Sequence, residues 1–451
     1  MAVQKICKKL ISQGNESVLI RAQQCYSAHG TVPRATTILI PTEREVTPMR
    51  SSVTLIALIL LMTCTAGCQS KVDRQQATPE PQVTNPTSQV AKLGTEAKGC
   101  VNPSVVSATT LLDPGGNVDW SPDGRLIAYD LPDAQNWTGT WVMNVDGTHQ
   151  RCLTCNNPAA PTKFHLGNPT WHPSMEWIVI QGISNSFFNQ FPSKDEAYKQ
   201  RVMDVGVGIG NDLWAMASDG KRFVQLTDVR SETGFNGGIL HPHFSHNGKL
   251  LAWAQRIGAV KNDSEGEWAI KIADFSVTSG TPLISNIRTF QPGKATQHLY
   301  ETHEFTHDDT QLLFASNSDG QAKTGYDIYR LEIASGQATQ LTNTPKEWDE
   351  HAQFSPDDKC IVWASSMNAG SKASLLKLEL WTMAADGSNQ QQLTFFNAAN
   401  ATIYPKDPFG SIPADSSWSP DGKQIAVHVI VNQGKQTAFS MPGKIVLLTL
   451  K

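Results

Sequence analysis

One pattern returns six times between residue 118 and the C-terminus, and it restricts the fold more than any other feature. Its copies are VDWSPDG from Val118, PTWHP from Pro169, HFSHNG from His243, EFTHDD from Glu304, QFSPDD from Gln353 and SWSPDG from Ser417. An apolar, β-prone stretch follows each copy: LIAYD, WIVIQ, LLAWA, LLFAS, CIVWA and QIAVH. The aromatic residue closes a strand. Pro presets φ at the first turn position, Asp caps the turn, and Gly supplies positive φ. The apolar stretch is then the return strand. A second block follows most copies: a strand, an Asp-Gly or Ser-Gly turn, and a strand ending in Leu-Thr. It recurs at Trp141–Thr154, Leu213–Thr227, Ile328–Thr342 and Leu380–Thr394. Two hairpins per repeat make a four-stranded blade.

The anchoring aromatics stand at 120, 171, 244, 305, 354 and 418, with spacings of 51, 73, 61, 49 and 64 residues. Propeller repeats run to about 40–50 residues, so these are blades with insertions, the largest around Asn185–Gly210. The fold class is therefore all-β, a six-bladed β-propeller over residues 104–451. The sixth copy has a single strand, Lys444–Leu450, after its first hairpin. Val105–Leu112 precedes the first motif where Gln-Leu-Thr stands before the others. The N-terminal strand is thus expected to complete the last blade and close the ring, which removes exposed sheet edges. A parallel β-solenoid, the rival architecture, lacks paired hairpins. Twelve tryptophans, 33 glycines and 25 prolines fit many short strands and turns. A net charge of −4 without a basic block excludes nucleic acid as a partner.

The first hundred residues read differently. Arg50, the apolar run Val53–Met62 and the small-residue exit Thr65-Ala66-Gly67-Cys68 describe an export signal over 49–67. The run is shorter than the roughly 20 residues a membrane span needs. The ending resembles that of bacterial lipoproteins, although Thr65 stands where that family usually has Leu. The resemblance implies lipidation at Cys68. Met49 reads as the start of the signal, and residues 1–48 as a gene-start artefact or a disordered leader. Residues 68–103 are rich in Gln, Pro, Thr and Ser and read as a disordered tether. The expected location is outside the cytoplasm, lipid-anchored and facing the periplasm or cell surface. The lipid anchor is the sole membrane contact expected.

The pairing of Ser-Pro-Asp-Gly with a later Asp-Gly…Gln-Leu-Thr resembles the propeller repeats of TolB over residues 105–450. The resemblance is specific for architecture. It stops at the propeller, because TolB carries an N-terminal α/β domain for which this chain has no room. Related propellers also precede serine-peptidase domains. Those need a Gly-x-Ser-x-Gly elbow, which the sequence lacks, so no peptidase activity is expected.

Histidines gather just ahead of the aromatic anchors: His241, His243, His303 and His351, with His165 and His172 in the second repeat. Strand alternation puts the positions one and three before each aromatic on one side. These are His241 and His243, Thr302 and Glu304, and His351 and Gln353, all near one mouth of the channel. His303 falls on the opposite parity and joins them only if the fourth blade shifts by one residue. Such imidazoles and carboxylates could bind a divalent metal. Oligogalacturonate lyases are similar propellers with a His/Gln metal site on the axis. That resemblance implies His241, His303, His351 and Gln353 as metal ligands and Arg256 as the candidate base. The plainer expectation makes the histidines structural, with His243, Glu304, Asp349 and Glu350 lining a binding mouth.

Four cysteines remain beyond Cys68 in an oxidising compartment. Cys100–Cys152 or Cys100–Cys155 is the expected disulfide, and Cys360 a buried free thiol. Phe187, Phe188 and Phe191 could form a binding lip or simply pack the loop. Two functions follow. The first is a non-enzymatic module binding an envelope protein or glycan. The second is a metal-dependent polysaccharide lyase.

Overall fold

The computed structural model describes residue 100 and residues 103–193, 202, 204–260, 263–293, 298–321, 325–372, 375–432 and 443–451. The stretch read as an export signal, Cys68 and nearly all of the stretch read as a tether therefore lie outside the described residues. Leu93–Lys451 forms one compact unit.

Six four-stranded antiparallel sheets make up this unit. Their innermost strands are Val118–Trp120, Phe164–Trp171, Gly238–Phe244, Tyr300–Phe305, Asp349–Phe354 and Ser411–Trp418, for blades 1 to 6 in that order. Each innermost strand contacts that of the next blade, and the sixth contacts the first. The result is a closed six-bladed β-propeller. As the sequence implies, blade 6 takes its outermost strand, Val105–Gly115, from the N-terminus. It pairs with Gly443–Leu450 in a register running from Val105↔Leu450 to Gly115↔Gly443.

The repeated motif explains the turn that links the first two strands of each blade. In blade 1 the Ser121 hydroxyl donates to Asp123 Oδ1 at 2.7 Å and accepts from Leu126 N at 2.9 Å, while Gly124 takes φ 75°. The same bracket recurs at Ser245, Thr306, Ser355 and Ser419. The Leu-Thr endings have a matching role. Thr227, Thr342 and Thr394 accept from the third-strand amides of Leu213, Ile328 and Leu380 and donate to Asp212, Asp327 and Glu379.

The apolar core is distributed. Six clusters of buried residues each lie between two adjacent blades, and the anchors Trp120, Trp171, Phe244, Phe305 and Phe354 belong to them. A seventh cluster sits in the second-blade insertion and contains Ile183, Phe187, Val202, Val205 and Ile209. Phe187 is 1% exposed there, with Phe191 and Phe235 packed against it. Of the two expectations for these phenylalanines, Phe187 and Phe191 follow loop packing and form no lip.

Both cysteine expectations need correction. Cys100 pairs with Cys360, and Cys152 pairs with Cys155. Cys360 opens the second strand of blade 5, and the segment before the closing strand passes beside it. That proximity depends on ring closure, so residue spacing alone could not disclose it.

Candidate functional site

Five of the six inner strands carry an extra residue just ahead of the aromatic, seen as a shift in register. A β-bulge breaks strand alternation and re-aims the side chain. Positions one and three before the aromatic therefore take different jobs, against the parity expected from sequence.

Three of the six residues one before the aromatic clamp neighbouring blades. Asp119 Oδ2 accepts from Trp171 N at 2.6 Å, Ser417 Oγ accepts from Trp120 N at 2.9 Å, and Glu304 Oε2 accepts from Phe354 N at 2.7 Å. Glu304 is thus a blade clamp, where the sequence placed it at a binding mouth. Burial pushes its carboxyl up to about 8.

Residues three before the aromatic are Asn117, Asn168, His241, Thr302, His351 and Asp415. Asn168, His241 and His351 adopt left-handed φ of 50°, 47° and 56°. His241, His351 and Asp415 meet at the axis, joined by Glu301 from blade 4. His241 Nδ1 donates to Glu301 Oε1 at 2.8 Å. His351 Nδ1 lies 3.2 Å from Asp415 Oδ1 and 3.5 Å from Glu301 Oε1. His241 Nε2 lies 3.9 Å from Asp415 Oδ1. His241, Glu301 and His351 each offer one ligand atom, and these atoms lie within 4.8 Å of one another. Ligands about 2.1 Å from a shared ion are at most about 4.2 Å apart, so small ring adjustments bring all three into range. Glu301 is 4% exposed, and the Asp415 side chain, at 19%, faces the channel.

The charges interlock. Burial would lower the His351 imidazole, but Asp415 and Glu301 overcome it and raise it to about 10. His241 shifts up for the same reason, against the same burial. Burial would raise the Glu301 and Asp415 carboxyls, yet the two imidazoles hold both below the usual carboxylate range. Burial and the Glu301 charge push the carboxyl of Glu350, 3.7 Å from His351 Nε2, well above its ordinary value.

His303 completes the histidine set from the same side. Its ring centroid is 6.0 Å from that of His351 and 6.4 Å from that of His241. It is 2% exposed, its Nε2 has no hydrogen-bond partner, and burial holds it well below its ordinary value. His243, 6.5 Å from His303 between ring centroids, is pushed down to about 3, chiefly by burial and then by the His241 charge.

Of the expected metal ligands, the structure therefore gathers His241 and His351, with His303 alongside. Gln353 sits two residues further along its strand, half-buried. Asp349 and Glu350, expected at an open mouth, are 0% and 5% exposed, and Asp349 Oδ2 instead accepts from the Thr344 hydroxyl at 2.6 Å. Arg256 is buried and donates Nη1 to Asn236 O at 2.9 Å. Sequence reasoning missed Glu301 and Asp415. Asp415 was findable, because it stands three before Trp418, the offset of His241 and His351. Glu301 stands four before Phe305, and only the local register reveals it.

The shell that orients His241 comes from its neighbours. Gln181 Oε1 accepts from His241 N at 2.7 Å, and the Thr302 hydroxyl donates to His241 O at 2.6 Å. Gln181 stands three residues beyond the second-strand partner of its blade's aromatic, Ile178. Asp130 and His428 hold that position in blades 1 and 6. Each reaches the next blade. Asp130 Oδ2 accepts from Asn168 N at 2.8 Å, and His428 Nδ1 donates to Asn117 Oδ1 at 3.0 Å. Blades 3, 4 and 5 have Ala254, Ala315 and Ala364 at the same position.

No family model matches the chain. A curated protein, dipeptidyl-peptidase 5 of Porphyromonas endodontalis, is 23% identical over a 283-residue alignment that covers 59% of this chain and 39% of that protein. The chain thus spans well under half of that relative. Among solved structures, oligogalacturonate lyase in complex with manganese is 14% identical with a TM-score of 0.44, covering 77% of this chain and 94% of that one. TolB from Acinetobacter baumannii is 16% identical with a TM-score of 0.43, covering 72% and 63%. In fold, this chain is a propeller similar to that of TolB.

Proposed function

We propose that the chain is a non-enzymatic binding module of the bacterial envelope. Its axial cluster holds one divalent cation, through which an acidic group of a glycan or protein docks. The observation that carries the reading is the convergence of His241, Glu301 and His351 on one point of the channel. Two imidazoles and a carboxylate suit a borderline or hard divalent ion such as Zn²⁺ or Mn²⁺. Asp415 adds a second carboxylate oxygen beside them. Export of the chain and a lipid anchor at Cys68 belong to the same reading and would keep the ring at the membrane surface.

The test is metal analysis of the full chain, followed by retention of polyuronate or envelope protein with and without chelator. One ion per chain and chelator-sensitive retention are expected. A chain that takes up no divalent ion contradicts the proposal. An unsaturated uronide absorbing near 235 nm would replace the binding module with a lyase.

A further inference from the structure

We infer that Gln181 is a positioning residue that ties the axial site to the Val205–Val207 turn of the second-blade insertion, so that ion occupancy and the stability of that turn control each other. The inference rests on the metal-site reading above. Gln181 is 0% exposed. Its amide uses both ends. Oε1 accepts from His241 N at 2.7 Å and from Asn168 Nδ2 at 2.8 Å. Nε2 donates to Val205 O at 2.6 Å and Ile239 O at 3.2 Å. An amide has two donors and an acceptor oxygen with two lone pairs, so the side chain is fully engaged.

The two ends belong to different parts of the molecule. Ile239 and His241 lie on the inner strand of blade 3. Val205 opens a 3₁₀ turn, Val205–Val207, inside the second-blade insertion, and its side chain belongs to the insertion's own apolar cluster. Asn211 repeats the link, with Nδ2 donating to Val205 O at 2.6 Å and Ile239 O at 3.4 Å. Meanwhile His241 holds a φ of 47°, where a non-glycine residue stays only if its surroundings fix it. The hydrogen bond from its N–H to Gln181 supplies that fixing. Loosening of the Val205 turn therefore reaches the His241 backbone through Gln181, with Asn211 as a second link to the same strand. Linkage requires the converse: an ion that locks His241 stabilises the turn.

The experiment uses the full chain, Mn²⁺ as the probe, calorimetry for affinity, and hydrogen exchange at Gly208, Gly210 and Asn211. The amides of these three residues donate to Val205 O, Gly237 O and Gly208 O. In the unmodified chain Mn²⁺ is expected to slow exchange there about fivefold or more. Gln181→Glu keeps the acceptor for His241 and loses both donors. It is expected to weaken Mn²⁺ binding about 10–100-fold and to abolish the slowing. Asn211→Ala, a milder cut of the same link, is expected to weaken binding severalfold. Asp119→Asn, a blade clamp outside this link, is expected to leave affinity unchanged. If Mn²⁺ binds but leaves the insertion amides unaffected, or if Gln181→Glu and Asn211→Ala bind it normally, the coupling is refuted while the metal site stands. If the unmodified chain takes up no Mn²⁺, the metal-site reading falls and the coupling with it.

Discussion

Blades 6, 1 and 2 hold their neighbours in one way, and blades 3, 4 and 5 in another. In the first set a polar second-strand residue (His428, Asp130 or Gln181) reaches across to the next blade and fixes the residue three before its aromatic. In the second set that position is alanine, and the inner strands bring charge instead. Glu301 bridges His241 and His351, and His351 reaches Asp415. The first half of the ring is tied by these hydrogen bonds and adds a single carboxylate, Asp415 of blade 6, to the axial cluster. The second half leaves ligand atoms pointing at the axis. A ring that needs only rigidity has no reason to hold two imidazoles and two carboxylates there, since hydrogen-bonded clamps would suffice at lower desolvation cost.

The largest expected effect concerns the seam that both halves share. The Cys100–Cys360 disulfide closes a loop with a sequence separation of 260, worth about 5 kcal/mol in the chain-entropy treatment. Cys100→Ser should lower the thermal midpoint strongly in a non-reducing melt, and dithiothreitol should reproduce the loss in the unmodified chain. Next comes the charged half. Glu301→Gln removes the anion between two buried imidazoles and should cost about 3–5 kcal/mol in denaturant unfolding. If it is neutral, the charged half is no different from the clamped half. Asp119→Ala, a clamp, should cost about 1–3 kcal/mol while leaving metal affinity unchanged.

The smallest effect is the share of the pH dependence that one residue of the clamped half, Asp130, contributes. Burial raises the Asp130 carboxyl to about 7, and nearby Asp204 adds to the rise. The folded value lies above the unfolded one, so the folded state binds the proton more tightly. That stability is complete below about pH 4 and is lost as pH rises through about 7. Melts of Asp130→Asn should show a flatter decline between pH 5 and 8 than the unmodified chain. An identical decline would remove Asp130 as its source.

Much of this architecture was legible in sequence because the motif is local. Ser121 to Leu126 is one hydrogen-bonded turn, and five of the six copies spell it out. Closure by Val105–Gly115 was legible because blade 6 was one strand short. The site was half legible. His241, His303 and His351 declared themselves by type and by blade. Their true partners did not, because the bulges ahead of Phe244, Phe305 and Phe354 shift side chains off the period-two reading. That shift separates Glu304, a clamp, from Glu301, a member of the axial cluster. The Cys100–Cys360 bond was illegible for a further reason: it joins residues that meet only after the ring has closed.

Whether the charged half is a metal centre comes down to a calorimetric titration of the metal-free full chain with Zn²⁺ and Mn²⁺, beside Glu301→Gln and His351→Ala. One ion per chain, with binding lost in both variants and kept in Asp119→Asn, is the expected result. No heat of binding, or binding that both variants retain, would show the axial cluster to be a self-neutralised ion network and nothing more.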